Sequence, residues 1–284
     1  MKSPASPSSS RLVLITGVSS GFGRAFATAA LTAGHRVVGT VRKKEDVDAF
    51  ESLAPDRAHA VILNVTHFDC IDPAVAAIEA AHGPIDVLIN NAGYGHEGLL
   101  EESSLAEMRH QFDVNVFGAV AMMKAVLPGM RQRRSGRIIN ITSMGGYITM
   151  PGIAYYCGSK FALEGISETL GREVKHLGIH VTAVAPGSFR TDWAGRSMVR
   201  SERRIPDYDA LFDPIRQARE EKSGKQAGDP AKAAAVVLDL LADPNPPVHL
   251  LLGRDAVQLV RGKIATLQAE ISAWEAISYS TDFE

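Results

Sequence analysis

The sequence predicts an α/β fold, a doubly wound parallel sheet in a single domain. Short runs rich in β-branched residues alternate with amphipathic segments along the whole chain, the pattern of a parallel sheet joined by helical crossovers. Most of these runs are almost continuously apolar, which is typical of strands covered on both faces. With 284 residues and 45% hydrophobic composition, the chain is long enough to bury one full core.

Each element follows from a local pattern. The β-branched runs predict seven strands, at residues 11–16, 36–41, 60–65, 85–89, 137–142, 179–184 and 250–252. Asp72-Pro73 and Asp229-Pro230 each predict the start of a helix, with aspartate as the cap and proline at the first helical position. A further helix is expected over 153–175. Residues 191–228 are polar and charged and interrupt the alternation, so we expect them to form a small substrate lid. We also expect residues 1–10 to be a disordered tail ahead of one domain at 11–284.

Composition and charge exclude several classes of function. The 30 basic and 32 acidic residues leave a formal charge of −2, which argues against a nucleic-acid footprint or a polybasic membrane surface and favours a small-molecule partner. Cys70 and Cys157 are too few for a disulfide framework or a thiolate metal cage, and the nine histidines form no ligand motif, so no metal is predicted. No apolar run approaches the roughly 18 residues of a membrane span, and residues 1–10 lack a signal-peptide core. The sequence therefore indicates a cytoplasmic protein.

A glycine-rich turn follows the first strand in the sequence TGVSSGFG. Gly17, Gly21 and Gly23 are suited to a tight turn, a close backbone approach to a pyrophosphate and the packing of a helix on a strand. Amides at the following helix N-terminus could meet the phosphates. A purely structural turn would use the same residues, but the position directly after the first strand favours cofactor binding.

The end of the second strand bears on the choice of cofactor. An acid there would bind the ribose 2′-hydroxyl of NAD, whereas an arginine accommodates the 2′-phosphate of NADP. The sequence VVGTVRKK has no acid, and Arg42 follows the strand directly. NADP(H) is therefore expected, with Arg42 on the phosphate. The alternative is that Arg42 belongs with Lys43 and Lys44 to a solvated charged face.

Two adjacent tyrosines precede a lysine in AYYCGSK. In a helix, residues four apart differ by about 40° around the axis and residues five apart by about 140°. Tyr156 therefore shares a face with Lys160, and Tyr155 does not. An ammonium beside the phenol is expected to lower the pKa of Tyr156 below its usual value of about 10 and prepare it for proton transfer. Ser143, at the end of the strand RIINITS, could donate to a developing oxyanion.

Taken together, these motifs resemble the short-chain dehydrogenase/reductase family, over about residues 11–190. The match includes TGVSSGFG, NNAG at 90–93, NV at 115–116, ITS ending at Ser143, YCGSK at 156–160 and PG at 186–187. The resemblance implies a Rossmann fold, a homodimer or homotetramer, and a tetrad of Asn115, Ser143, Tyr156 and Lys160. In that family the tyrosine is the general acid/base, the serine polarises the carbonyl, the lysine also bonds the nicotinamide ribose, and the asparagine holds a relay water. The cofactor contacts implied are Gly17, Ser19, Ser20, Gly21, Phe22, Gly23, Arg42, Asn64, Val65, Asn91, Ala92, Gly93, Tyr156, Lys160, Pro186, Gly187 and Thr191.

The sequence departs from the family pattern at two points that concern the cofactor. Asn64 replaces the aspartate usual near the adenine, and its amide can still form hydrogen bonds. Ser19 and Ser20 stand where many NADP-preferring members have a basic residue, which leaves most of the 2′-phosphate recognition to Arg42.

The run YCGSKFALEGISETL and the long tail through Trp274 resemble the branch that contains 17β-hydroxysteroid and retinol dehydrogenase-like proteins, which hints at a bulky apolar carbonyl or alcohol. Candidate pocket residues, each of which could equally be loop packing, are Tyr94, His96, Met144, Tyr147, Trp193 and Met198. The arginines at 196, 200, 203 and 204 are interleaved with acids and are interpreted as a solvated lid face, and Cys157 is interpreted as a small packed residue.

These observations predict an NADP(H)-dependent oxidoreductase that reduces a ketone or aldehyde to an alcohol, reversibly. One alternative is the same chemistry run oxidatively with NAD. Another is a binding protein that senses a dinucleotide without catalysis, against which the intact Ser, Tyr and Lys set argues.

Overall fold

A seven-stranded parallel sheet forms the centre of the protein. In the computed structural model, which describes residues 10–283, the strand order is β3-β2-β1-β4-β6-β7-β9 and every neighbouring pair is parallel. This order is that of a doubly wound Rossmann fold, so the predicted fold class is confirmed. The strands are β1 (Leu12–Ile15), β2 (Arg36–Val41), β3 (Ala58–Ile62), β4 (Val87–Asn90), β6 (Gly136–Ile141), β7 (Ile179–Pro186) and β9 (His249–Leu252).

Both faces of the sheet are covered by apolar side chains. Leu12 and Leu14 of β1 belong to one buried cluster, while Val13 and Ile15 belong to the cluster on the opposite face. Successive residues of a strand point to opposite faces, so an apolar residue at every position is what a sheet between two helical layers requires. This is the physical reason for the continuous apolar runs in the sequence.

The helical layers consist of nine α-helices within the described residues. They are α1 (Gly21–Thr32), α2 (Glu45–Glu51), α3 (Ile71–His82), α4 (Leu105–Phe112), α5 (Gly118–Arg133), α6 (Ala154–Val174), α7 (Asp209–Glu221), α8 (Pro230–Ala242) and α9 (Arg254–Tyr279). A π-helical turn, Asp113–Phe117, joins α4 to α5. By length and composition alone, one described helical segment, Leu105–Arg133, could cross a membrane, which is weak evidence because core helices pass the same test.

Several predicted boundaries differ from the structure. The strand predicted at 60–65 lies at Ala58–Ile62, so Asn64 and Val65 follow it. Pro73 is not the first residue of α3, because an irregular turn at Phe68–Cys70 leads directly into the helix at Ile71. Asp229 does cap α8, accepting a hydrogen bond from the Ala231 N–H at 2.8 Å. The predicted tail at 1–10 lies outside the described residues except for Ser10, whose hydroxyl donates to Gly34 O.

Residues 191–228 form a segment with its own structure. It contains β8 (Met198–Arg200), which pairs with β5 (Gly95–Glu97) in a small second sheet that the sequence did not predict, followed by α7.

The expectation that the arginines of this segment form a solvated face is wrong for two of them. Arg200 Nε lies 2.9 Å from Oε1 of the buried Glu97, which also contacts Arg219. Arg203 is only 17% exposed and pairs with Glu102, Asp209 and Asp213. Arg196 and Arg204 are exposed, as expected.

Candidate active site

The turn between β1 and α1 depends on its three glycines. Gly17 and Gly21 have φ angles of 74° and 56°, in the left-handed region that favours glycine. A Cβ at Gly23 would lie 2.0 Å from Gly17 O, so no other residue would let α1 approach the turn this closely. The glycine spacing in the sequence therefore has a steric cause in the structure.

The N-terminus of α1 is suited to an anion. Ser20 precedes the helix without making a side-chain capping bond, and the first turn has no acidic residue. The first amides of the helix and its positive dipole end thus favour a pyrophosphate at this point. Phe22 instead packs its ring against Phe26 and Phe189, at centroid distances of 5.5 and 5.1 Å. The exposed Ser19 and the half-buried Ser20 border the same turn.

The segment after β4 is held against the glycine turn. The Asn91 amide Nδ2 donates to Thr16 O and Gly17 O, both at 2.9 Å, and the N–H groups of Asn91 and Ala92 both donate to the Thr16 hydroxyl. A Cβ at Gly93 would lie 3.1 Å from Asn115 Oδ1. The β1 and β4 loops therefore meet where the strand order reverses, at which ligands of this fold class bind.

Arg42 follows β2 directly and is exposed, with no hydrogen bond or ion pair to another residue in the range 10–283. Asn64 Oδ1 accepts a hydrogen bond from the Thr66 N–H at 3.2 Å, and Val65 packs against the backbone of Gly118. The guanidinium of Arg42 is therefore free to meet an anion beside the glycine turn.

Pro186, Gly187 and Thr191 lie at and after the carboxyl end of β7. Pro186 ends β7, and the Gly187 N–H donates to Leu252 O at 2.7 Å. A Cβ at Gly187 would lie 2.3 Å from Asp255 Oδ1, so a larger residue there would displace the carboxylate that accepts from the Ser188 N–H. The chain then returns to the glycine turn, where a Cβ at Gly21 would lie 3.8 Å from Thr191 Cβ. A cavity of about 570 Å³ opens between Gly21, Thr191 and α8.

Helix α6 brings Tyr156 and Lys160 onto one buried face, as the spacing predicted. Lys160 Nζ lies 5.7 Å from the centroid of the Tyr156 ring and donates a hydrogen bond to Ile141 O at 2.8 Å. Ser143 follows β6, and its oxygen accepts a hydrogen bond from the Gly145 N–H at 3.0 Å. A Cβ at Gly145 would lie 3.4 Å from both Ser143 Oγ and Tyr156 Cε1. The three side chains thus meet at the carboxyl edge of β6.

The pKa of Tyr156 differs from the expectation based on Lys160. Burial raises the pKa of Tyr156 to about 12, and interactions with the side chains of Ser143 and Trp193 only partly oppose this. Burial also lowers the pKa of Lys160 to about 8, while the nearby Glu164 acts in the opposite direction. The expected lowering of the tyrosine pKa is therefore wrong for this structure, because desolvation of the buried phenol is the largest influence on it. At neutral pH the phenol is protonated.

Asn115 lies in the π-helical turn and is buried. Its Oδ1 accepts from the Tyr94 N–H at 3.1 Å, and its Nδ2 donates to Tyr94 O at 3.1 Å and to Ser159 Oγ at 3.2 Å. Ser159 in turn donates to Tyr156 O at 2.7 Å. Asn115 is thus connected to α6 through Ser159.

The six pocket candidates do not share one location. Trp193 lies against Tyr156, with ring centroids 5.0 Å apart, and Met198 packs beside Trp193 over Gly95. Tyr94 packs on His110, and Met144 begins the turn after Ser143. His96 is a structural residue instead, since it is buried, stacks on Tyr155 and contacts Ser201. The Tyr147 hydroxyl donates to Glu164 and lies within hydrogen-bond distance of His249 Nδ1.

The sequence interpretation missed a buried carboxylate beside the site. Glu164 contacts the Thr142 hydroxyl and accepts from the Tyr147 hydroxyl at 2.8 Å, and His249 Nδ1 lies 2.8 Å from the same carboxylate. Glu164 lies one helical turn after Lys160, on the same face of α6. That spacing was the available signal, since an acid on the buried face of a helix requires partners.

Comparison with known proteins identifies the class to which this geometry belongs. The family model for short chain dehydrogenases matches residues 11–200, and the chain belongs to that family. The family uses NAD(P), and the chain is an oxidoreductase that acts on CH–OH groups. No cluster of three or more potential metal ligands occurs in the described part of the chain.

Relatives are similar over most of their length. The chain is 36% identical to oxidoreductase BOA17 of Botryotinia fuckeliana, over 95% of this chain and 99% of that protein. It is 38% identical to a 3-ketodihydrosphingosine reductase of Bacteroides thetaiotaomicron, over 86% and 88% of the two chains. Human retinol dehydrogenase 8 is 35% identical, over 84% and 80%.

Solved structures agree with the fold. A short-chain dehydrogenase from Streptomyces avermitilis superposes with a TM-score of 0.90 at 43% identity, over 97% of this chain and all of that one. ElxO, solved with NADP bound, gives a TM-score of 0.71 at 25% identity, over 85% and 96% of the two chains.

Proposed function

We propose that this protein is an NADPH-dependent reductase of a bulky, apolar ketone or aldehyde. The observation that carries the proposal is the convergence of Ser143, Tyr156 and Lys160 at the sheet edge beside a glycine turn that fits a dinucleotide. The names of two relatives, a 3-ketodihydrosphingosine reductase and retinol dehydrogenase 8, accord with carbonyl and alcohol chemistry.

The residues in place could perform the proton half of a carbonyl reduction. NADPH would supply the hydride. The Tyr156 hydroxyl, protonated at neutral pH because burial raises its pKa to about 12, would donate its proton to the carbonyl oxygen. Ser143 would donate a second hydrogen bond to the same oxygen, and Lys160 would hold positive charge beside the phenol as the proton leaves. In the oxidative direction, the same groups would take the proton back.

The substrate class is inferred from the surroundings of Tyr156. Ile153 and Cys157 form a small buried cluster with the tyrosine, against which Met150 and Trp193 pack. These side chains offer apolar contact on the side of the tyrosine that faces the 191–228 segment. We infer that this segment is a substrate lid, closed in the present structure, and that an apolar substrate would take the place of Trp193 on the tyrosine ring.

The central test compares the two adjacent tyrosines. Tyr156→Phe should lose turnover of a ketone and aldehyde panel, followed by NADPH absorbance, and should still bind NADPH. Tyr155→Phe is the matched control, because its hydroxyl donates to Ser103 O at 2.8 Å, away from the proposed chemistry. It should keep activity and lose about 1 kcal/mol of stability. Substantial turnover by Tyr156→Phe would disprove the assignment.

The cofactor assignment depends on Arg42. A charge-assisted bond to the 2′-phosphate contributes about 1.5–3 kcal/mol, so Arg42→Ala should raise the Kd for NADPH roughly 10- to 150-fold and leave NADH unaffected. Lys44→Ala, at an exposed position in the same basic run, should change both affinities little. Equal effects of Arg42→Ala on the two cofactors would favour the NAD-dependent alternative.

A further inference from the structure

The C-terminal helix α9 leaves the body of the protein after its second turn. Ala256 and Val260 are buried, whereas every residue from 261 to 283 is exposed. At 1.5 Å per residue, the exposed helical part from 261 to 279 is about 28 Å long. Most of the stability of a helix in a protein comes from packing of an apolar face, and this length of α9 makes no such packing with the rest of residues 10–283.

An apolar stripe runs along α9 from the buried Val260 into the exposed part of the helix. Its members are Val260, Ile264, Leu267, Ile271 and Trp274, which follow one another at intervals of four, three, four and three residues. The last four are 59%, 47%, 52% and 62% exposed. These intervals form an apolar repeat of 3.5 residues over two heptads, the pattern by which one helix pairs with another in a coiled coil. A contiguous exposed apolar surface of this kind marks an interaction site.

The charges that flank the stripe identify the partner and its direction. Arg261 and Lys263 lie near the start of the exposed part, and Glu270 and Glu275 lie near its end. An antiparallel pair of α9 helices centred near residue 269 sets Leu267 beside Ile271 of the second copy. It also sets Arg261 beside Glu275 of the second copy, and the two-fold axis repeats this favourable contact. The one repulsive contact is between Glu270 and Glu270 of the second copy.

A parallel pair would not have this complementarity. In a parallel coiled coil, Glu270 of each helix would lie beside Glu275 of the other, which repels twice, and Lys263 would meet the uncharged Gln268. Antiparallel helices also align their dipoles favourably.

The charges also argue against a membrane surface as the partner. Membrane-surface helices carry many Lys and Arg residues on the polar face, but from 261 to 283 the chain has two basic and three acidic residues. We therefore propose that the stripe on α9 is a self-association surface, which binds α9 of a second copy of this chain in the antiparallel direction.

The first test measures the mass of the full-length protein in solution by light scattering after size exclusion. Leu267→Glu/Ile271→Glu should at least halve the mass of the wild type. The matched control, Ala269→Glu/Ala276→Glu, adds the same charge on the opposite face of the helix and should keep the wild-type mass. Equal masses for the wild type and the stripe variant would overturn the proposal, as would an equal loss in the control. Unchanged thermal unfolding by circular dichroism would show that the variant body is folded.

The second test addresses the direction of pairing. Each single variant, Arg261→Glu or Glu275→Arg, breaks two equivalent contacts between the two copies. Each broken contact should weaken self-association about two- to fivefold, and the double variant should restore self-association. A double variant no better than the single variants would exclude the antiparallel arrangement. Binding of a monomeric wild type to anionic lipid vesicles, lost in Leu267→Glu/Ile271→Glu, would instead assign the stripe to a membrane. Neither mass nor pairing depends on the proposed reductase activity.

Discussion

Gly23→Ala tests the packing of the dinucleotide turn, and its effect can be worked out from the structure. The added Cβ would lie 2.0 Å from Gly17 O and 2.6 Å from Asn91 Nδ2, whereas ordinary contacts begin at 3.4 Å. The turn and α1 would therefore have to separate by roughly 1.4 Å at a site packed as densely as a crystal. That shift would break the Asn91 hydrogen bonds to Thr16 O and Gly17 O. Two lost bonds at about 1 kcal/mol each, with about 1–3 kcal/mol of overpacking, predict a loss of about 3–5 kcal/mol.

Urea unfolding followed by circular dichroism measures this loss, and a fluorescence titration with NADPH measures the accompanying loss of cofactor affinity. Gly165→Ala is the matched control. Gly165 is an exposed position inside α6, and a Cβ there would meet nothing within 4 Å. Helix propensity predicts a gain of about 1 kcal/mol for it. If Gly23→Ala unfolds within 1 kcal/mol of the wild type and binds NADPH normally, the close approach of α1 to the turn is not what the glycine provides.

Two further predictions concern buried charge. Lys160 has a folded pKa of about 8 against 10.5 in the unfolded chain, so its charge opposes folding below pH 8, and this penalty disappears as the pH rises from 8 to 10.5. Lys160→Met should therefore lose turnover. After subtraction of the lost bond to Ile141 O, it should be about 2 kcal/mol more stable than the wild type at pH 7. Urea unfolding at pH 7 and pH 10 should show that this difference in stability shrinks as the pH rises. Glu97→Gln should leave the arginines of the 191–228 segment without their buried charged partner, at a cost of about 3–5 kcal/mol. Hydrogen exchange should then accelerate across β8 and α7 while the central sheet stays protected, and equal acceleration everywhere would refute the local role of this carboxylate.

Much of the fold was predictable because its signals are local. Continuous apolar runs mark strands that are covered on both faces, and the glycines of the turn are fixed by contacts within the first β-α unit. The face shared by Tyr156 and Lys160 follows from helix geometry alone. The small sheet of β5 and β8 was not predictable, because its two strands are three residues long and lie about a hundred residues apart in the sequence.

The pKa of Tyr156 shows where local reasoning fails. Spacing predicted the right neighbour in Lys160, but it could not predict the burial of the phenol, because part of its surroundings comes from distant residues such as Trp193, 37 positions further along the chain. The arginines near 200 were misjudged for the same reason. Mixed charges in a polar segment usually indicate solvent exposure, and nothing local reveals that the partners are the buried Glu97 and Glu102.

These two corrections are connected through the 191–228 segment. Its arginines bind carboxylates in or next to the β5 region, and the same segment sets Trp193 on the phenol ring of Tyr156. The ion pairs therefore favour the arrangement in which the tyrosine is desolvated and protonated. Opening of the segment would move Trp193 off the ring, admit water to it and weaken the desolvation that raises the pKa of Tyr156. If the segment is a lid, as proposed, closure would keep the tyrosine protonated as the acid, and weaker contacts of Glu97 and Glu102 with the arginines would let the site open more often.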